Sequence, residues 1–369
     1  MRVAIIAHLK HAIAEPFAGG LEMHTHLLAQ SLNSRGHDVT LFASTRSDPT
    51  LGLEAICDET TLSHVGTAEA QDVMFFREHH AYLTLMGELR RRDFDLIHNN
   101  SLHYLPVAMA DTIDTPMVTT LHTPPFCWLE SGIRLCRSQA MRFVAVSETI
   151  RGLWSPITPI DRVIANGVDL SQFPFNAEPA ASPYLVWYGR IVPEKGLHLA
   201  IAAAQVMEMP LRFAGPISDP VYFSDQILPM LGTDVEHVGH LDHAALATLI
   251  GGARAFLCTP RWEEPYGLVV AEALACGTPV AAFARGAIPS LLNSRSGVLA
   301  TPDDAVALAR AAQSAMALDR RECRARAEAI CDARVMVDGY EALYAEMIAA
   351  NDGARSPLGE AALPDAAAA

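Results

Sequence analysis

The chain has 369 residues, half of them apolar, a formal net charge of −15 and seven cysteines. That length predicts two domains with separate cores. Acidic residues outnumber basic ones on both sides of Asn166, which argues against nucleic-acid binding or a general anionic-membrane surface and leaves only local peripheral contact open. No C-x-x-C pair occurs, so the cysteines read as reduced thiols of a cytoplasmic protein. No apolar run approaches the roughly 18 residues of a membrane span, and residues 1–8 are too short for a signal peptide.

In chain order, residues 3–8 form a short apolar run ending in polar residues, which predicts a buried first strand. A loop with Pro16, Gly19 and Gly20 follows. A helix is expected over 21–35, stopped by Gly36, and a second strand over 38–42. This strand–glycine loop–helix–strand opening is a βαβ unit. Helices are expected over 71–92 and 101–111, and strands over 95–98, 117–121 and 143–146. Ser147 caps the next helix, with Glu148 in its first turn, and 163–165 is the last strand of this half. Residues 169–183 carry Pro174, Pro179 and Pro183 without periodicity and read as a linker.

A second alternating series follows, with strands over 184–188, 211–214, 235–238, 255–259 and 279–283. After Pro302 the chain reads as helical to about residue 350. The Gly/Pro/Ala-rich stretch 351–369 is expected to fray. The boundaries are therefore 1–168 for a first domain, 169–183 for the linker and 184–334 for a second domain. A terminal helix over 335–350 completes the ordered chain. Each domain reads as a doubly wound, Rossmann-like α/β unit. Ligands of such sheets bind outside the carboxyl ends of the strands, which makes the interdomain cleft the expected site.

The chemistry-bearing stretch is 261–279, R-W-E-E-P-Y-G-L-V-V-A-E-A-L-A-C-G-T-P. Pro265 and Gly267 make its first part a turn, and 268–276 runs at helical density until Gly277. Glu264 then lies in the loop before a helix, and Glu272 about a turn and a half inside it. The unpaired amides of Tyr266, Gly267 and Leu268 at that helix start would attract an anion such as phosphate. Carboxylates beside a phosphate are tolerable if they accept hydrogen bonds from neutral hydroxyls, as a sugar and a ribose offer. In isolation, two such glutamates read as a helix-capping Glu and a solvated helical Glu. The loop 189–196, G-R-I-V-P-E-K-G, places Arg190 and Lys195 after the first strand of the second domain, where a diphosphate would need them.

G-R-x-x-x-E-K-G together with E-P-Y-G-L-V-V-A-E-A-L-A-C-G-T-P-V resembles the retaining glycosyltransferases of family 4, which have the GT-B fold. The likeness extends to Gly19-Gly20 and to Asn166-Gly167-Val168-Asp169, and covers nearly the whole chain in order. It implies a second domain that binds a nucleotide sugar, most often a UDP-sugar, and a terminal helix that returns to the first domain. Gly189, Arg190 and Lys195 would hold the diphosphate. Glu264 would contact the donor sugar and Glu272 the ribose. The amides of Tyr266, Gly267 and Leu268 would reach sugar and phosphate, and Gly19 and Gly20 would approach from the first domain. Gly239 and His240, in the segment 237–240, would lie near the base. His122, at a strand's carboxyl end, would contact the donor sugar or support the leaving group; the family's usual Asp after it is Thr123 here, so a structural His122 is the competing reading. His103 and Glu130 are weaker acceptor-side candidates.

The resemblance implies transfer of a hexosyl group to an acceptor hydroxyl on one face of the anomeric carbon. The departing phosphate takes the proton, and neither a metal nor a cofactor takes part. A nucleotide-sugar epimerase on the same fold, or a non-catalytic nucleotide-sugar-binding protein, are the alternatives.

Other motifs point elsewhere. Asp93-Phe94-Asp95 spells D-x-D but precedes a strand. His24 and His26 lie two apart on a helix and face different ways, so they cannot share a metal. His79-His80 reads as surface, and Arg90-Arg91-Arg92 as a helix end. Neither a Walker loop nor G-x-G-x-x-G occurs, which argues against an NTPase or a dehydrogenase.

Overall fold

A computed structural model describes residues 1–57 and 68–355. The first unit contains β1 (Arg2–Ala7), α1 (Gly20–Ser34), β2 (Asp38–Ser44), β3 (Leu53–Cys57), α2 (Ala68–Leu89) and β4 (Leu96–Asn100). It continues with α3 (Tyr104–Ala108), β5 (Met117–Leu121), α4 (Cys127–Leu135), β6 (Met141–Ala145), α5 (Glu148–Trp154) and β7 (Arg162–Val163). The second contains β8 (Leu185–Tyr188), α6 (Leu197–Val206), β9 (Leu211–Ala214), α7 (Pro220–Tyr222), β10 (Val235–His237) and α8 (His243–Gly252). Then come β11 (Ala255–Cys258), α9 (Leu268–Ala275), β12 (Val280–Phe283), α10 (Ile288–Leu291) and β13 (Gly297–Ala300). Three helices close the chain: α11 (Ala305–Ala315), α12 (Arg320–Ile330) and α13 (Ala333–Arg355).

The strands form two sheets, in the orders β3-β2-β1-β4-β5-β6-β7 and β10-β9-β8-β11-β12-β13. Every named strand pair is parallel, β1 with β2 and β4, and β8 with β9 and β11, among them. The sheet centres are buried on both faces, as in the fully buried β1 run Val3–Ile6 and in β12, which explains their unbroken apolar sequence. In both sheets the order reverses at the first strand. The two reversal points, β1/β4 and β8/β11, are where a doubly wound sheet opens a crevice at its carboxyl edge. This is the GT-B architecture of two Rossmann-like domains.

The terminal helix α13 returns to the first unit. Its Tyr340, Leu343 and Tyr344 are buried in one cluster with Val3, Ile5 and Leu41, and the Tyr344 hydroxyl bonds His98 Nδ1. The chain crosses between units twice, and the crossings touch. Val168 pairs with Asp332, and a Cβ on Gly167 would lie 2.4 Å from the Ala333 Cα. Arg320 anchors the linker by donating to the carbonyls of Asn176, Ala253 and Gly251 at 2.7, 2.9 and 2.7 Å.

Several expected elements shift. The helix expected over 101–111 starts only at Tyr104, because Leu102 takes a positive φ of 58° and His103 becomes the cap, and it gives way after Ala108 to a 3₁₀ turn, Ala110–Thr112. Strands β3 and β13 and helix α4 went unread, being short and flanked by strong turn formers. The last helix continues to Arg355, past the expected end at 350, and the rest of the 351–369 stretch lies outside the described residues. Among the described residues, no helix is long and apolar enough to cross a membrane.

Candidate active site

Between the two reversal points lies a cavity of ≈ 460 Å³, lined from both units. That is the size range of small-molecule sites.

The second unit supplies the ionic wall. Lys195 Nζ donates to Glu264 Oε2 at 2.7 Å, and Trp262 Nε1 donates to the same oxygen at 2.9 Å. The Lys195 ammonium also stands 5.0 Å from the Trp262 ring centroid, a cation–π distance. Thr259, just past β11, donates its hydroxyl to the Lys195 carbonyl at 2.8 Å and fixes that turn. Behind Glu264, any Cβ on Gly286 would come within 2.2 Å of the Glu264 carbonyl oxygen, so a glycine is needed for the two loops to meet. Arg190 is half-exposed and reaches toward the first unit: a Cβ on Gly19 would sit 3.9 Å from its Nε.

Gly267, at φ 99°, turns the chain into α9. The N–H groups of Tyr266, Gly267 and Leu268 have no partner among the described residues, so the start of α9 presents free donors to the cavity. Glu272, one turn further, is buried and accepts a hydrogen bond from the Tyr188 hydroxyl. Burial pushes its carboxyl up to about 8, against the opposing Tyr188 hydrogen bond.

The first unit supplies a largely neutral wall. Gly20 opens α1 directly across from α9, where a Cβ would meet Leu268 Cδ1 at 2.8 Å. Glu22 is buried in the first turn of α1 and accepts from His8 Nε2 at 2.7 Å. Burial alone would raise its carboxyl, but the His8 hydrogen bond and charge outweigh it and hold it below the usual range. His122 is buried at the carboxyl end of β5, with Nε2 2.9 Å from Asn100 Oδ1 and its ring 4.7 Å from that of His24. Burial, then the neighbouring histidines, push His122 well below its ordinary value, so it is neutral at physiological pH.

Gly19, Gly20, His122, Gly189, Arg190, Lys195, His240, Glu264, Tyr266, Gly267, Leu268 and Glu272 all line this one cavity. Gly239 does not. It takes φ 90°, and its carbonyl accepts from Gly215 N–H at 2.8 Å. His240 instead bridges the units, its Nε2 3.0 Å from the Phe17 carbonyl.

Sequence reasoning missed His8, Lys10, His11, Glu22, Tyr188, His243 and Trp262, which also line the cavity. Only Glu22 and Trp262 carried a signal, through their nearness to Gly20 and Glu264. Asp93 and Asp95 both pair with Arg2, at 2.5 and 2.9 Å, far from any cleft role. His24 faces His122 while His26 reaches Asp48 at 3.1 Å. His80 is exposed, but His79 is half-buried and 3.2 Å from the Tyr104 hydroxyl. Arg92 pairs with Glu54 at 2.7 Å, just past the end of α2.

Residues 170–330 match the family model described as glycosyl transferases group 1, and residues 18–172 the one described as Glycosyltransferase Family 4. Among solved structures, sucrose-phosphate synthase from Thermosynechococcus elongatus superposes with a TM-score of 0.77 at 22% identity, over 95% of this chain and 99% of that one. The chain is a glycosyltransferase of GT-B fold.

This glycosyltransferase is 29% identical to a glycogen synthase from Mycobacterium tuberculosis, over 94% of its own length and 96% of the relative's. It is 25% identical to a phosphatidyl-myo-inositol mannosyltransferase from Propionibacterium freudenreichii, over 81% of each. The Anabaena HepE protein, solved with UDP-glucose, shares the glycosyltransferase's fold with a TM-score of 0.70 at 18% identity, over 95% of this chain and 100% of that one.

Proposed function

We propose that this glycosyltransferase moves a hexosyl group from a UDP-sugar to an acceptor hydroxyl, with retention and without a metal ion. The observation that carries the reading is the meeting, in one cavity, of Arg190, Lys195 and the free amides opening α9 with two carboxyl groups, Glu264 and Glu272. Cations and amides suit a diphosphate; carboxyl groups suit sugar hydroxyls. That HepE was solved with UDP-glucose supports uridine as the base.

In this reading the diphosphate takes Lys195 from Glu264, which frees the Glu264 carboxylate to accept from the donor sugar. Trp262 keeps Glu264 in place during the exchange. Glu272 accepts from the ribose, steered by Tyr188. Gly20 leaves room for the phosphate from the other side, and neutral His122 hydrogen-bonds the sugar. The bond from the anomeric carbon to the phosphate oxygen breaks as the bond to the acceptor oxygen forms on the same face. The acceptor's proton passes to the departing phosphate. Arg190, Lys195 and the α9 amides stabilise the charge growing there.

The test is a thermal-shift panel of nucleotides with the purified chain, followed by NMR of the transfer product. UDP is expected to raise the melting temperature by mass action. Transfer should continue in excess chelator and give the donor's anomeric configuration. An inverted product, or a strict need for a divalent ion, would overturn the reading.

A further inference from the structure

Between β1 and α1 the chain runs through residues 8–19 outside any regular element. The middle of this loop is tied to the first domain. Ile13 is fully buried, its N–H donates to Ser47 Oγ at 2.9 Å, and its carbonyl accepts from Asp48 N–H at 3.0 Å. The far end is tied as well: Gly19 caps α1, and its carbonyl accepts from Met23 N–H at 3.3 Å. Between those ties, residues 14–18 make a single hydrogen bond among the described residues, and it goes to the second domain. His240 Nε2 donates to the Phe17 carbonyl at 3.0 Å.

The Phe17 side chain adds to this contact. Its ring stands 5.2 Å from that of His26 on α1 and 5.2 Å from that of His243 at the start of α8. Phe173, in the linker, meets the same His243 ring at 5.3 Å, and His243 Nδ1 is 3.3 Å from Glu15 Oε1. Phe17 and His243 also line a second cavity, of ≈ 90 Å³. Rings with open space beside them forfeit part of their packing attraction, which leaves more of the hold to the polar contacts.

The segment leads straight into the phosphate end of the site. Three residues past Phe17, Gly20 meets Leu268 at the start of α9, and Gly19 lies beside Arg190. A strap that bonds so little to its own domain takes its order from the other one. Ordering it on binding would cost free energy, and a ligand that needs it ordered binds in proportion to the ordered fraction.

We propose that His240 and His243 are positioning residues for the donor: they seat residues 14–18 on the second domain and so pre-set Gly19 and Gly20 for the diphosphate. His240 then acts through the Phe17 carbonyl and not as a contact to the base. The proposal rests on the donor reading above, and the experiment separates the two.

UDP and uridine are compared by calorimetry on the full chain. His240 is exposed and His243 half-buried, so neither substitution opens the core. His240→Ala should weaken UDP about fivefold, the scale of one hydrogen bond, and His240→Ala with His243→Ala about thirtyfold. Uridine, which lacks the diphosphate, should bind both variants as it binds wild type. His240→Gln, whose amide nitrogen reaches as far as the ring Nε2, should restore UDP affinity. Without nucleotide, chymotrypsin should cut after Phe17 several-fold faster in the double variant, because cleavage follows the population of the opened strap.

A loss of uridine affinity equal to the loss for UDP overturns the proposal and makes His240 a contact to the base. Unchanged UDP affinity, cleavage at the wild-type rate, or a His240→Gln variant as weak as His240→Ala overturns it too. Faster cleavage after Phe17 in a protein whose wild type binds neither UDP nor uridine would instead sink the donor reading and leave the seating of residues 14–18 standing.

Discussion

The two walls of the cavity are made in opposite ways. The ionic groups of the second-domain wall come from two short stretches, Gly189–Lys195 and Trp262–Glu272. The first-domain wall is less charged, with His122 pushed down by desolvation and Glu22 paired to His8, and it gathers His8, Gly20, Leu102, His122 and Asn166 from separate loops. The difference follows from what each would bind. A diphosphate needs a helix start and nearby cations, which one strand–loop–helix unit can supply locally. A neutral hydroxyl partner needs shape and hydrogen bonds, which loops from several strands can provide in many sequences.

The sharpest way to break this comparison is to remove one member of the ionic wall. Lys195→Ala or Glu264→Ala is expected to cut kcat by about 100-fold or more, the usual scale for losing a charge-stabilising contact. The melting temperature should stay near wild type, since Lys195 and Glu264 lie at the rim of the core. Turnover like wild type in either variant would remove the ionic wall from the chemistry.

Gly267→Ala should come next. A side chain at φ 99° is strained by about 1–2 kcal/mol, and its Cβ would stand 3.1 Å from Ile288 Cδ1. Because the turn aims the α9 amides, UDP affinity should fall about tenfold, measured by calorimetry.

Glu272→Gln sharpens the comparison through pH. Burial raises the folded carboxyl from 4.5 to about 8, so the folded state binds that proton more tightly than the unfolded one. The stability this confers is complete below the unfolded value and is lost as pH rises through about 8. The glutamine variant lacks that loss. Thermal melts from pH 5 to 9, on the order of the span between those two values, should show its advantage over wild type growing with pH. A constant difference would mean Glu272 is ionised throughout. The smallest effect is expected from Trp262→Phe, which keeps the ring over Lys195 but loses the Glu264 hydrogen bond. A few-fold rise in donor KM, about 1 kcal/mol, is the scale of one such bond.

Much of the ionic wall could be read from sequence because its determinants are close in the chain. Glu264 and Glu272 fall on either side of a glycine that breaks one conformation and starts another. Arg190 and Lys195 follow a strand that ends in glycine. The neutral wall was less legible. His122 could be placed at a strand end, but its contact with Asn100 and its stacking on His24 depend on sheet order. The ring cluster of Tyr82, His103, Tyr104 and Trp128 was hidden for the same reason: it forms only where α2 and α4 both pack on α3, and α4 itself carried no strand-like or long helical pattern. Gly239 was read from its segment alone, and its carbonyl is committed to Gly215.

One feature of the crossing has mechanical weight. With Gly167 jammed against Ala333 and Val168 tied to Asp332, the two halves are joined at the crossing like covers on a spine, and His240 clasps them again at the Phe17 carbonyl. Any gaping must then undo the His240 clasp and draw Gly20 away from Leu268. A bulky Gly167→Val wedge should prop the covers apart at rest. Small-angle scattering would register it as a larger radius of gyration, and an unchanged radius would show that the spine yields.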